Sequence, residues 1–143
     1  MTKDVLLTIK GLQYVMEEGA DDERIETLNR GSFYKRNGKY FVAYEETPDG
    51  EDTVKSLIKF DSTMFELTKK GTYGAHMLFE EGKKNYSDYA TPFGNLVIGV
   101  DTESITLSET DNEIKVTIAY DMEINYEHVA RCNIDVVISG IES

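Results

Sequence analysis

The sequence predicts an all-β, antiparallel fold, and three observations carry that reading. Two alternating runs stand back to back between residues 112 and 138. Ile114, Val116, Ile118, Tyr120, Met122 and Ile124 share one face of the first, and His128, Ala130, Cys132, Ile134, Val136 and Ile138 share one face of the second. Apolar residues at every second position mark a strand with one buried face, whereas a helical template begun at Ile114 collects Thr117 and Asp121. The second observation is Asn37-Gly38 between two alternating segments, the dipeptide that type I′ hairpin turns favour. The third is rhythm: short alternating segments bounded by turn residues recur along the whole chain, and no stretch shows convincing helical periodicity.

Taken in order, Val5, Leu7 and Ile9 alternate up to Gly11, after which Leu12, Tyr14 and Met16 resume out of phase, as at a β-bulge. The acidic stretch 17–23 reads as a turn before a strand that starts at Ile25, reaches Gly31 and extends into Phe33 and Tyr34. Beyond the Asn-Gly turn, Tyr40, Val42 and Tyr44 share a face. Thr47, Pro48, Asp49 and Gly50 are turn residues. Val54, Ser56, Ile58 and Phe60 then alternate with Lys55, Leu57 and Lys59, and short strands follow at 64–69, 75–80 and 83–91. A turn at 92–95 leads into a long strand through Leu96, Ile98 and Val100, which bends near Asp101 and continues through Ile105 and Leu107. Asp111 and Asn112 turn into the final pair. The strand count, about nine or ten, suits an antiparallel barrel or sandwich. No repeat, linker or low-complexity tract divides the 143 residues, so they read as one domain.

Charge narrows the partners. Lys and Arg number 15 against 27 Asp and Glu, a formal net charge of −12. That field repels phosphate backbones and anionic lipid headgroups, so neither nucleic acid nor a membrane surface is an expected partner. Residues 1–10 lack an apolar h-region and a small-residue cleavage site. No run approaches the roughly 18 apolar residues of a membrane helix, and the single Cys132 has no partner for a disulfide. A reducing cytoplasm is the expected location.

The segments KDVLLTIKG (3–11), GSFYKRNGKYFVAYEE (31–46) and FEEGKKNYSDYATPFGNLVIGVDT (79–102) resemble the YwiB-like family of uncharacterised bacterial proteins, in order along nearly the whole chain. That resemblance implies an up-and-down, calycin-like β-barrel of about eight to ten strands, lipocalin-like in shape. It implies no activity. The lipocalins' Gly-x-Trp has only Gly11, Leu12 and Gln13 at the analogous place, and the chain holds no Trp.

Catalytic templates fail on geometry. Ser56-Leu57-Ile58-Lys59 matches Ser-x-x-Lys, but on a strand that offset puts the two side chains on opposite faces. Glu80 and Glu81 are adjacent and cannot both flank one bond. His76 and His128 are the only histidines, too few for a transition-metal site, and the acidic hairpin at 45–52 lacks the EF-hand ligand pattern. No metal and no cofactor is implied. Arg30, Lys35, Arg36 and Lys39 lie near Phe33, Tyr34 and Tyr40, a single-strand-binding mixture that the overall charge opposes. Arg131 falls on the outward phase, where surface acids can pair with it; Cys132 falls inward, where burial makes a thiol inert.

Three functional expectations follow. The first is a non-enzymatic binding module whose interior accepts a small, partly apolar ligand, with polar tips drawn from Tyr40, Tyr44, His76, Glu80, Tyr86, Tyr89 and Tyr120. The second is an interaction module, a homodimer included, that uses outward apolar residues such as Val137 and Leu57. The third is an enzyme working through Glu80 or His76.

Overall fold

The alternation is realised as ten antiparallel strands in a computed structural model that describes residues 3–11, 26–46, 53–70, 75–92 and 94–141. They are β1 (Asp4–Lys10), β2 (Glu26–Arg36), β3 (Lys39–Glu46), β4 (Val54–Phe60), β5 (Met64–Lys70), β6 (Ala75–Glu80), β7 (Lys84–Thr91), β8 (Gly94–Glu109), β9 (Glu113–Ile124) and β10 (Glu127–Gly140). The expected phase shift after Gly11, the turn at 17–23, the start at Ile25 and the turn at 47–50 lie outside the described residues. The expected bend in the long strand is a register shift between Thr102 and Ser104, just past Asp101.

The order across the sheet is β6-β5-β4-β3-β2-β1-β10-β9-β8-β7. Every strand but β6 and β7 therefore has two hydrogen-bonded neighbours, and β1 pairs with β10 from Val5↔Gly140 to Lys10↔Asp135. The ladder curls into a nearly closed barrel with one seam, between β6 and β7. One end carries the turns at Asn37-Gly38, 61–63, 81–83 and 110–112; the other carries Asn125-Tyr126 and the connections that fall wholly or partly outside the described residues.

Asn37 (φ 52°) and Gly38 (φ 77°) both adopt the left-handed backbone that a type I′ turn needs. The turn between β4 and β5 is built by Asp61. Its Oδ1 accepts bonds from Thr63 N (2.8 Å), Thr63 Oγ1 (3.0 Å) and Met64 N (3.1 Å), while Oδ2 accepts from Lys39 Nζ at 2.8 Å.

The inward faces supply the core, from Val5, Leu7 and Ile9 on β1 to Ile134, Val136 and Ile138 on β10. At the tight-turn end, register places Tyr40, Phe60, Phe65 and Phe79 side by side across β3 to β6. Their rings touch in sequence at 5.0, 5.9 and 6.2 Å, and Phe79 then meets Tyr120 of β9 edge-on at 4.9 Å. The row thus crosses the seam that the backbone leaves unpaired. The 81–83 turn is stitched across it as well. Gly82 N donates to Thr102 O at 2.9 Å, and Thr102 N donates to Lys83 O at 3.0 Å. The bulge in β8 aims Ile105 N at Glu81 Oε2, 3.0 Å away, and Asn85 Nδ2 donates to Glu80 Oε1 at 3.3 Å. Tyr40 also donates across the barrel to Glu109 Oε1 at 2.5 Å.

Two outcomes are expected. Phe79→Ala, which opens a hole in a fully buried ring row at the seam, should cost about 3 to 5 kcal/mol in urea unfolding. Burial pushes the Asp61 carboxyl up, but the bonds from Lys39 and Thr63 outweigh it and hold the group at about 2 against an ordinary 3.8. A depressed folded value stabilises fully above 3.8 and is lost as pH falls toward 2. Over that interval the wild type should lose stability more steeply than Asp61→Asn, as midpoints measured at a series of pH values would register.

Candidate functional site

Strand phase decides which polar groups reach the interior. Tyr40, Tyr44, Tyr89 and Tyr120, four of the residues expected to supply polar tips, face inward and are buried. The other three do not join them. His76 is exposed on the outer face of β6, its Nε2 2.8 Å from Glu66 Oε2; Glu80 stands at the seam beside Asn85 and Lys83; and Tyr86 is exposed on the outer face of β7. Their place in the alternation explains this, since residues 76, 86 and the buried 77 and 89 differ in parity along their strands.

Sequence reading missed two interior hydroxyls. Thr102 is 1 % exposed and Ser56 5 %, and both lie in phase with the apolar core of their strands. That phase is the signal: Ser56 precedes Ile58 and Phe60 on one face, and Thr102 follows Ile98 and Val100. Ser56 Oγ, Tyr89 OH and Thr102 Oγ1 have no hydrogen-bond partner among the described residues. Leaving a hydroxyl buried and unbonded costs on the order of 1 to 3 kcal/mol, so such groups ordinarily hold a water or a ligand.

Two of the three belong to one cluster. Thr102, Tyr120 and Cys132 are register partners across β8, β9 and β10. The Tyr120 hydroxyl and the Cys132 thiol are hydrogen-bonded to each other, and ionisation of Tyr89 would oppose that of Tyr120. Burial pushes the Tyr89 and Tyr120 hydroxyls far above the usual 10.0, and burial likewise pushes the Cys132 thiol up. The cluster therefore stays protonated and uncharged. It offers hydrogen bonds without a nucleophile.

Ser56 belongs to the opposite wall, where it is the register partner of Tyr44. A concave space of about 470 Å³ lies beside Gly31, Tyr44 and Ser56, with Arg30, Glu45, Lys55 and Asp4 around it. Gly31 keeps the wall thin there, since a Cβ would stand 2.9 Å from the Ala43 carbonyl oxygen. Farther along the same faces, Lys69 Nζ meets Glu46 Oε1 at 2.6 Å. Arg131 points outward and pairs with Glu103 and Asp121. Of the outward apolar residues, Leu57 is exposed and Val137 half-buried. Among the described residues no group of three or more His, Cys, Asp or Glu side chains is placed to hold a metal ion.

Comparison with known proteins agrees with this architecture. The family model described as a domain of unknown function, DUF1934, matches residues 8–136. The uncharacterised β-barrel protein YwiB of Bacillus subtilis is 25 % identical over 126 residues, covering 88 % of each chain. The crystal structure of the ywiB protein from Bacillus subtilis superposes with a TM-score of 0.77 at 23 % identity, over 98 % of this chain and 93 % of that one, a likeness of fold.

The protonated state of the cluster is directly measurable. Tyr89→Phe and Tyr120→Phe should leave the near-ultraviolet tyrosinate titration of the folded protein unchanged, because neither hydroxyl ionises before the barrel unfolds. Their raised folded values stabilise fully below 10.0 and are lost as pH climbs beyond it, so alkaline unfolding should release both titrations together.

Proposed function

The chain belongs to the DUF1934 family, and from that premise we propose that its barrel is a binding protein for a small, partly apolar ligand, held inside with its polar group at the Tyr89, Thr102 and Tyr120 cluster. The observation that carries the reading is the pair of buried hydroxyls on Tyr89 and Thr102 that have no partner among the described residues. A ligand hydroxyl or carbonyl beside either one satisfies it, while Met122, Ile98 and Val100 supply apolar wall on β8 and β9. No catalytic role is assigned. The cluster holds its protons, and His76 and Glu80 stand outside it.

Charge selects among ligands. No cation acts on Tyr89 or Tyr120: Lys69 is bonded to Glu46, Lys35 of β2 stands over the Tyr40 ring, and Arg131 is outside with Glu103 and Asp121. A carboxylate taken into such surroundings loses its hydration without gaining a counter-charge. The preferred ligand is neutral, such as a fatty alcohol or a retinol-like molecule, over the corresponding acid.

The test is native mass spectrometry of freshly purified protein, together with thermal unfolding against fatty alcohols, fatty acids, retinoids and nucleotides. The expected result is a co-purified mass or a midpoint raised by a neutral apolar compound. Thr102→Val keeps the shape and deletes the hydroxyl. It should leave the ligand-free protein as stable or slightly more so, and weaken the neutral ligand about fivefold, the equivalent of one hydrogen bond of roughly 1 kcal/mol. No co-purified mass and no shift with any class would refute the proposal.

A further inference from the structure

Away from the interior, the outer face of β7 to β9 carries an aromatic pair that the proposed ligand site does not use. Tyr86 and Tyr126 are 47 % and 69 % exposed, and their ring centroids are 5.3 Å apart at 51°. Both rings are held in place. Tyr86 lies over Gly99, its register partner on β8, where any Cβ would stand 2.8 Å from Tyr86 Cε1. Its hydroxyl donates to Glu123 Oε2 at 3.1 Å, and Lys84 Nζ fixes the other oxygen of that carboxylate at 2.6 Å.

Tyr126 is held at a cost. It occupies the second central position of the turn between β9 and β10 with φ 70°, after Asn125 at φ 49°. The same geometry recurs at the turn between β2 and β3, where glycine follows asparagine at φ 77°. The comparison lies within one molecule: one type I′ turn has the residue the backbone favours, and the other has a bulky aromatic that left-handed backbone disfavours. Burial does not offset the strain, because the ring is mostly in solvent. Strain kept without a packing return points to use.

The surrounding charge says for what. The exposed or half-buried phases of these strands carry Asp88, Asp101, Glu103, Asp121, Glu123 and Glu127; Glu123 bonds Tyr86, Asp88 is two residues from Tyr86 along β7, and Glu127 adjoins Tyr126. Arg131 is committed to Glu103 and Asp121, and Lys84 to Glu123. Asp88 and Glu127 have no ion pair among the described residues, while Asp101 is the register partner of Lys84 and acts on it. Two fixed π faces in a negative field attract a cation, and a planar guanidinium both stacks on tyrosine and bonds carboxylates. A second copy of this acidic chain would be repelled. We propose that the Tyr86 and Tyr126 pair is a docking site for an arginine-bearing, extended segment of a partner protein, an arginine stacking on the rings and its neighbours meeting the free acids.

The experiment uses the full chain, isotope-labelled for NMR, and three peptides differing only at two positions: Ac-Gly-Arg-Gly-Arg-Gly-amide and its lysine and citrulline counterparts. The arginine peptide should move the Tyr86 and Tyr126 ring signals and the Gly99 amide, bind several-fold tighter than the lysine peptide, and leave the citrulline peptide without effect. Tyr126→Gly separates use from structure. Glycine relieves the backbone, so its thermal midpoint should equal or exceed the wild type's while arginine-peptide affinity falls about fivefold. The proposal is overturned if Tyr126→Gly binds as well as wild type, or if arginine and lysine peptides bind alike with shifts spread over the whole acidic surface. Self-association through these rings, abolished by Tyr126→Gly, would overturn it in favour of a second copy.

Discussion

The contact between Phe79 and Tyr120 is where closure of the barrel is decided. An antiparallel meander whose first and last strands pair, as β1 and β10 do here, leaves one pair of sequence neighbours to absorb any misfit in curvature, and that pair is β6 and β7. Two facing edges with free backbone groups are costly if wet and sticky if bare. The chain manages them with side chains instead of a ladder. A row of rings crosses the gap, and the 81–83 turn ties itself to Thr102 and Ile105 on β8. The bulge beside Thr102 frees Ile105 N for Glu81, so register slip and seam closure are one device.

That device also positions the interior polar groups. Tyr120 closes the seam with its ring and presents its hydroxyl to Cys132, and Thr102 is both the backbone anchor of the seam turn and the bearer of an unpartnered hydroxyl. Groups held this way have little freedom to swing toward other partners. Satisfying them inside the protein would require another polar side chain on an apolar face, with its own desolvation cost. A neutral ligand or a trapped water meets the same need without that change of sequence.

How far this could be read from the chain follows from what each level depends on. Ile114 to Ile124 is legible because period-two burial is a local property of one strand, and the same holds for Asn37-Gly38, where a turn type constrains two residues. The seam is not local. Nothing in residues 75–91 distinguishes a pair of strands that ladder from a pair that only touch; the outcome depends on ten strands' accumulated twist and on where Phe79 lands relative to Tyr120. The interior hydroxyls lay between these cases. Ser56 and Thr102 were visibly in phase with apolar neighbours, but whether anything would reach their oxygens depends on the opposite wall. Tyr126 falls between the two alternating runs of the sequence. That its backbone is left-handed follows from the two-residue loop, whereas its stacking on Tyr86 needs the neighbouring hairpin.

The same two-residue period also separates the two proposed sites electrostatically. With apolar residues taking the inward phase, the 27 carboxylates and 15 Lys and Arg of the chain are left largely to the outward phase and the connections. The interior is thereby nearly without charge, and the exterior carries most of a net −12. A ligand that reaches Tyr89 or Tyr120 sheds its hydration where no cation acts on those hydroxyls, which favours neutrality; a partner that docks outside meets a field that favours cations and weakens with salt. The two preferences oppose each other. A cationic segment drawn to Tyr86 and Tyr126 has no electrostatic reason to enter the barrel, and a neutral lipid-like molecule gains little from the acidic face. Because Tyr86 and Tyr89 stand on opposite sides of one strand, three residues apart, β7 presents both sites at once, and a change at either can be made without altering the chemistry of the other.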